Sequence, residues 1–382
     1  MKFLFAPDSF KGSLSARRIT KLLEREARRA FPDCETAALP MADGGEGTME
    51  ILTDICRGRT VPVTVRGPLN ERRESSYAVL EDGSALIEMA AASGLPMVPP
   101  ERRDPERTTT YGTGELIAAA LDAGCRRLVI GVGGSATNDG GMGAAAALGV
   151  RFLDEDGREL PPVGESLGRI ARIDCAGLHP AAREARFTVM CDVDVPLVGP
   201  NGATYMFGPQ KGGRPEQLAR LEEGMEHYCA VLARDVGQDS AHLPGGGAAG
   251  GLAAGLMVFL GARLCSGIET VLELSRFEER LDGVDLVITG EGRVDGQSAH
   301  GKVLCGVGTA CLRRGVPAIA IAGSLGQGAE EVAACGIQAA YPIVDRPMDI
   351  GYAIAHAEEL FSAAAARVFC ALKLGTELGR GR

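Results

Sequence analysis

Short apolar runs recur along this chain, each closing on a loop of glycine and acidic residues that opens a helix, and that repetition restricts it to a parallel α/β architecture. Lys2 to Ala6 reads as a buried strand ending at Pro7. The loop Asp8-Ser-Phe-Lys-Gly-Ser-Leu-Ser15 follows, and Ile19, Leu22, Leu23, Ala27 and Ala30 then share one helical face, with Ser13 or Ser15 as its cap. Pro32 ends that helix, and Glu35 to Leu39 gives a second strand. Met41-Ala-Asp-Gly-Gly-Glu-Gly-Thr48 then opens a helix from Met49 to Cys56. Two such units in a row require a parallel sheet, whose loops gather at the carboxyl ends of its strands.

Near residue 65 the pattern changes. Ser75 to Leu80 and Ser84 to Ala90 flank Asp82-Gly83, a favoured hairpin turn, and an antiparallel hairpin does not belong inside a doubly wound sheet. The spacing therefore predicts an inserted α/β domain at 66–280. It holds this hairpin, a helix from Gly114 to Ala123, strands Arg127 to Gly131 and Phe187 to Cys191, and helices over Pro215 to Asp235 and Gly251 to Arg280. From Val284 the first pattern resumes, with strands Asp285 to Thr289, Pro317 to Ala322 and Ala339 to Val344 and helices near Lys302, Ala329 and Asp349. Residues 1–65 and 281–382 thus form one discontinuous domain, and five parallel strands interrupted once suit a flavodoxin-like order.

The chain has 382 residues, a length suited to about two domains. Its net charge of −10 and lack of any Lys or Arg run argue against nucleic acid and anionic membrane surfaces as partners. The 11 cysteines are scattered without a C-x-x-C pair, which suits reduced, mostly buried residues in a cytoplasmic protein. The N-terminal apolar run is too short for a signal peptide. The weakly polar stretch from Gly245 to Ala262 is broken by glycine and shorter than the ~20 residues that span a bilayer.

Five loops carry the candidate chemistry. In the first, Asp8, Ser9 and Lys11 stand at a strand mouth, where a lysine neutralises a phosphate or a carboxylate. The second contains Asp43, Gly44, Gly45 and Glu46, either as ligand-facing carboxylates or as helix-start residues. The third, Gly131 to Gly143, holds Gly133, Gly134, Ser135, Thr137, Asn138 and Asp139 between a strand and a helix. It is either a tight packing turn or a cradle of N–H groups for a phosphate. In the fourth, Asp192 and Asp194 are two residues apart after a strand, a spacing suited to Mg²⁺ or to a general base. The fifth carries Glu291, Gly292, Arg293, Asp295, Ser298, His300 and Lys302, for phosphates or for a metal. Val303 follows Lys302, so this is not the G-x-x-x-x-G-K-[ST] phosphate loop, and no G-x-G-x-x-G follows the first strand. Gly208-Pro-Gln-Lys-Gly212 and Gly245 to Gly251 are further candidates, with packing or hinge roles beside a ligand role. Composition and spacing support a phosphate-handling enzyme that uses Mg²⁺. A kinase for another small hydroxy acid and a non-catalytic anion sensor stand as alternatives, and the density of acidic loop residues disfavours the sensor.

Together Asp8-Ser-Phe-Lys-Gly-Ser-Leu-Ser-Ala, Ala42-Asp-Gly-Gly-Glu-Gly-Thr, Gly131 to Gly143, Phe207-Gly-Pro-Gln-Lys-Gly and Gly290-Glu-Gly-Arg-Val-Asp-Gly-Gln-Ser resemble the type I glycerate kinases, in the family's order and over nearly the whole chain. The resemblance implies ATP-dependent phosphorylation of D-glycerate, commonly at the 2-hydroxyl. It also implies a flavodoxin-like domain, a second domain similar to the restriction-endonuclease fold, and a site in the cleft between them. On that reading the loops Gly131 to Gly143 and Gly290 to Lys302 hold the nucleotide phosphates. Asp192 or Asp194 binds Mg²⁺ or accepts the proton of the attacking hydroxyl, while Lys11 and Arg293 face the glycerate carboxylate or the moving phosphoryl group. One departure is visible: Val195 stands where the family usually has Asn.

Overall fold

The five apolar runs of the first pattern form a single parallel sheet. In a computed structural model that describes residues 1–42, 47–299 and 302–380, its strands lie side by side as Glu35–Ala38, Lys2–Pro7, Leu286–Gly290, Ala318–Ala322 and Ile337–Pro342. Numbered along the chain, that order is 2-1-3-4-5, the flavodoxin-like order expected from the sequence. Leu286–Gly290 and Ala318–Ala322 are buried at every residue, which is why they read as unbroken apolar runs rather than as alternating ones.

Helices cover both faces. Ala16–Ala30 begins at Ser15, whose hydroxyl accepts from the Arg18 amide at 3.2 Å, so Ser15 rather than Ser13 is the cap. This helix and Ala357–Arg380 share a core with Phe3, Phe5, Ile288, Ile319 and Ile321. Phe369 meets Phe3 edge-on at 5.5 Å, and Arg18 pairs with Glu358 where the two helices meet. On the other face Val303–Arg314 buries Leu304, Val307 and Cys311.

The chain divides into two compact units, Met1–Asp43 with Ile268–Arg382, and Gly44–Gly267. The crossings therefore fall at 43/44 and 267/268 rather than near 65 and 280. Arg59–Arg66 is the reason for the first shift: it pairs antiparallel with Arg72–Val79 along its whole length and belongs to the second sheet. This strand has a weak signature in the sequence, because its burial only partly alternates and it carries Pro62. Gly267–Leu274, which enters the first unit at Ile268, and Phe277–Arg280 are two short helices, and the strand Arg263–Cys265 separates the first of them from Leu252–Leu260. The long helical region expected from Gly251 to Arg280 is thus four elements.

The second unit is built on a six-stranded mixed sheet, ordered Arg263–Cys265, Arg186–Met190, Arg127–Gly131, Ala85–Glu88, Arg72–Val79 and Arg59–Arg66. The hairpin expected at Asp82-Gly83 is present, with Val79 opposite Ala85. The remaining neighbours, from Ala85–Glu88 to Arg263–Cys265, run parallel. Tyr111–Asp122, Met142–Ala147, Pro215–Asp235 and Leu252–Leu260 enclose its core, with Leu116, Met142, Tyr228 and Leu252 fully buried.

Glycine is required where the central strands of the first sheet end. A Cβ on Gly290 would lie 2.0 Å from the Ile321 carbonyl oxygen, a main-chain atom that cannot move aside. Gly290→Ala is expected to lower stability by about 1–3 kcal/mol, the range for overfilling a packed site. Gly375→Ala, on an open helix face with no atom within 4 Å, is expected to be neutral or slightly stabilising. Urea unfolding midpoints of the two variants check the contrast.

Candidate active site

Ligands of open α/β sheets bind outside the carboxyl ends of the strands, where the strand order reverses. In the first unit that point lies between Lys2–Pro7 and Leu286–Gly290, whose last residues, Pro7 and Gly290, are register partners. The loops beginning at Asp8 and Glu291 therefore leave the sheet side by side. The Asp8 amide donates to the Gly290 carbonyl at 2.8 Å, and the buried Asp8 carboxylate accepts from the Ser9 amide at 2.6 Å. A Cβ on Gly292 would stand 3.6 Å from Phe10 Cα and 3.8 Å from the Lys11 nitrogen, so the two loops are in contact.

Glu291, like Asp8, is a buried acid of this cluster. Burial pushes its carboxyl above the ordinary range. The hydrogen bond from the Ser298 hydroxyl is the main opposing effect, followed by Lys302; Asp295 pushes it further up and Lys11 down. Lys11 and Lys302 are themselves exposed. Two ammonium groups thus stand near the buried Glu291 carboxyl at the mouth of two parallel strands, a setting that attracts a small anion. Arg293 is exposed and pairs with Asp295 at 3.2 Å. Its short strand Arg293–Val294 runs parallel to Ser324–Leu325, and the Gly326 amide donates to the Val294 carbonyl at 2.7 Å.

The other candidates are in the second unit. Gly131 and Met190 end adjacent parallel strands, so the loops Gly131 to Gly143 and Cys191 to Ala203 also start together. Gly133 and Gly134 are exposed and Ser135 is nearly buried, whereas Thr137, Asn138 and Asp139 have no exposed surface. The Asp139 carboxylate accepts from the Thr110 amide and hydroxyl at 2.7 and 2.8 Å and from the Gly141 and Gly143 amides at 3.1 and 3.2 Å. Burial raises its pKa, and these four donors oppose the rise. Asn138 donates to the Thr204 hydroxyl at 3.2 Å.

Asp192 and Asp194 are exposed, and no regular strand persists beyond Met190 to aim them alike. Asp192 accepts from the Gly267 amide at 2.9 Å. The stretch Gly245 to Gly251 ties this loop to the glycine loop: Gly247 donates to the Val195 carbonyl at 2.9 Å, and Gly250 accepts from the Gly140 amide at 3.0 Å. Gly250 has φ +65° and a Cβ there would lie 2.0 Å from the Thr137 carbonyl oxygen, so this glycine stretch has a packing role. Asp43, Gly44, Gly45 and Glu46 lie outside the described residues, as does His300.

The family model for the glycerate kinase family matches residues 3–373. The chain belongs to the glycerate kinase family. It is 46% identical to a glycerate kinase of Bacillus subtilis over 98% of both chains. It is also 46% identical to a glycerate 2-kinase of Escherichia coli, over 90% of this chain and 91% of that one. A crystal structure from Salmonella typhimurium LT2, assigned as glycerate kinase 2, superposes with a TM-score of 0.89 at 45% identity and covers 99% of each chain.

One side chain of this glycerate kinase family member matters more than its sequence suggested. Lys211, in Gly208-Pro-Gln-Lys-Gly212, is only 2% exposed, and its Nζ donates to the Thr137 carbonyl at 2.7 Å, inside the glycine loop. Burial lowers its pKa to about 7, against the opposing charge of Asp139. The flanking glycines had suggested packing or a hinge; a lysine between them was the available signal. Val195, the departure from the family pattern, contributes its carbonyl to Gly247, a contact that any side chain allows.

Below about pH 7 Lys211 is charged in both the folded and unfolded chain, and the cost of burying that charge is fully present. Between about 7 and 10.5 only the unfolded chain holds the proton, so this group makes stability rise with pH across that window. Lys211→Met is expected to flatten the rise. Urea midpoints of both proteins at acid, neutral and alkaline pH give the comparison, and parallel curves would contradict it.

Proposed function

We propose that this kinase transfers the γ-phosphoryl group of ATP to the 2-hydroxyl of D-glycerate, giving 2-phosphoglycerate and ADP, in the cytoplasm and with Mg²⁺. The observation that carries the reading is the meeting of the Asp8–Lys11 and Glu291–Lys302 loops at the strand-order reversal, in a chain of this family. Phosphoryl transfer depends on positioning and on neutralising charge, which a cluster of this composition supplies. Lys11 and Arg293 are assigned to the glycerate carboxylate or the moving phosphoryl group. Asp8, Ser9, Glu291, Gly292 and Lys302 line that ligand site, with Asp43, Gly44, Gly45 and Glu46 in the substrate role their loop suggests.

The main-chain amides at Gly133, Gly134 and Ser135 are assigned to the nucleotide phosphates. Thr137, Asn138 and Asp139, with Lys211 beneath them, set the shape of that loop. No described helix is long and apolar enough to cross a membrane.

The donor set fits Mg²⁺. Among the described residues no group of three or more His, Cys, Asp and Glu could hold a metal unaided. Mg²⁺ in phosphoryl-transfer enzymes is held by one or two carboxylates together with substrate phosphates and water, and the exposed Asp192 and Asp194 match that requirement. When bound, the ion neutralises phosphate charge. The carboxylate that does not bind it is assigned as the acceptor of the proton of the attacking hydroxyl.

Magnesium-dependent release of ADP with D-glycerate, and a ³¹P spectrum of the product, test the reaction and its position. Equal turnover with lactate, glycolate or tartronate would favour a different hydroxy acid, and no turnover with any of them would overturn the reading. Asp192→Asn and Asp194→Asn are expected to lower kcat, at least one of them by about 100-fold or more. If both variants keep wild-type kcat, neither residue is base or metal ligand.

A further inference from the structure

Two thiols of the first unit sit unusually close. Cys305, in the first turn of the helix Val303–Arg314, has its Sγ 2.7 Å from that of Cys335, the last residue of the short helix Ala329–Cys335. This is well inside the contact distance of two unbonded sulfurs and about 0.7 Å beyond the ~2.05 Å of a disulfide. Main chain, rather than a chance side-chain rotamer, sets the approach. Gly308 lies one turn after Cys305, and a Cβ there would stand 2.5 Å from the Cys335 carbonyl oxygen. A Cβ on Gly336 would stand 2.6 Å from the Gly308 carbonyl oxygen, and Gly336 has φ +94°. Each segment thus passes the other where the other has no side chain, which brings the two sulfurs into line. Both cysteines are half-buried, within reach of a small reagent.

We propose that Cys305 and Cys335 are a redox pair whose oxidation to an intramolecular disulfide restrains the loop Glu291 to Lys302. The helix carrying Cys305 starts directly after Lys302. The segment carrying Cys335 follows Ser324–Leu325, which pairs with Arg293–Val294, and Gln327 accepts from the Gly296 amide at 3.1 Å. A bond between the two cysteines joins the helix that follows the loop to the segment that pairs with it. The oxidant is a low-molecular-weight disulfide of the glutathione class. The Cys305 thiolate attacks one of its sulfurs and expels one small thiol. The Cys335 thiolate then attacks the Cys305 sulfur of the mixed disulfide and expels the second. Overall the protein loses two protons and two electrons, and the small disulfide becomes two thiols. Burial, and then the hydrogen bond with Cys305, push the Cys335 thiol up to about 12. Disulfides of this kind in a reducing compartment are transient and sensing rather than structural.

The inference rests on the proposed function only where turnover is read. The full chain is treated with oxidised glutathione, alkylated, digested without reduction and analysed by mass spectrometry. A cross-linked Cys305–Cys335 peptide, two hydrogens lighter than the pair of thiol peptides, is expected as the main product. Turnover of D-glycerate is expected to fall by about fivefold or more and to recover with dithiothreitol. Cys305→Ser and Cys335→Ser are expected to keep the basal activity and lose the response. Absence of the cross-link, inhibition that persists in both serine variants, or a cross-link without any change in turnover would each overturn the proposal. A chain that forms the cross-link yet phosphorylates no glycerate in either state would refute the proposed function and the regulatory role together, while leaving the disulfide site standing.

Discussion

The pairing of Lys2–Pro7 with Leu286–Gly290 is the contact on which the rest of the first unit depends. It joins residues about 283 positions apart, for example Ala6 to Thr289, whose hydroxyl donates to the Ala6 carbonyl at 2.8 Å. Without it the sheet would be a two-stranded piece and a three-stranded piece, and Phe3, Phe5, Ile288 and Ile319 would have no common core. The same register brings the Asp8 and Glu291 loops together. Fold and candidate site in this unit thus rest on one row of hydrogen bonds.

The second unit solves a different problem. Its glycine loop carries a buried carboxylate, Asp139, and a buried ammonium, Lys211, where desolvation disfavours either charge alone. Four donors hold the carboxylate, while the ammonium spends its bond on the main chain of the same loop. The exposed glycines at 133 and 134 are therefore presented by a loop whose interior is bound by hydrogen bonds to buried side chains. A binding surface of bare main chain acquires a rigid support in this way.

The sheet of the first unit was legible because its strands are short buried runs separated by helices and proline. The change of pattern was legible from the Asp82-Gly83 hairpin, which breaks that rhythm and is present. The true crossings were not, because Arg59–Arg66 reveals its allegiance only through its partner Arg72–Val79. Spacing picked out candidate loops but not which of their residues face outward. Thr137, Asn138 and Asp139 look like ligand contacts in a one-dimensional reading because they are polar. Their burial follows from Thr110, Thr204 and Lys211, which are distant in sequence. The lysine itself carried a weak signal, a cation between two glycines, whose meaning depends on the carbonyl it reaches.

The long separation between the first strand and its central partner also has a consequence for biosynthesis. The first two strands leave the ribosome early, yet the strand that completes their sheet is made about 283 residues later. At typical elongation rates that interval is roughly 15–60 s. The second unit is synthesised in full during this wait, while Phe3 and Phe5 still lack the helix that covers them in the finished sheet. A nascent chain of this design presents an apolar edge throughout that interval, and its yield in cells should depend on chaperones that act before the sheet is complete.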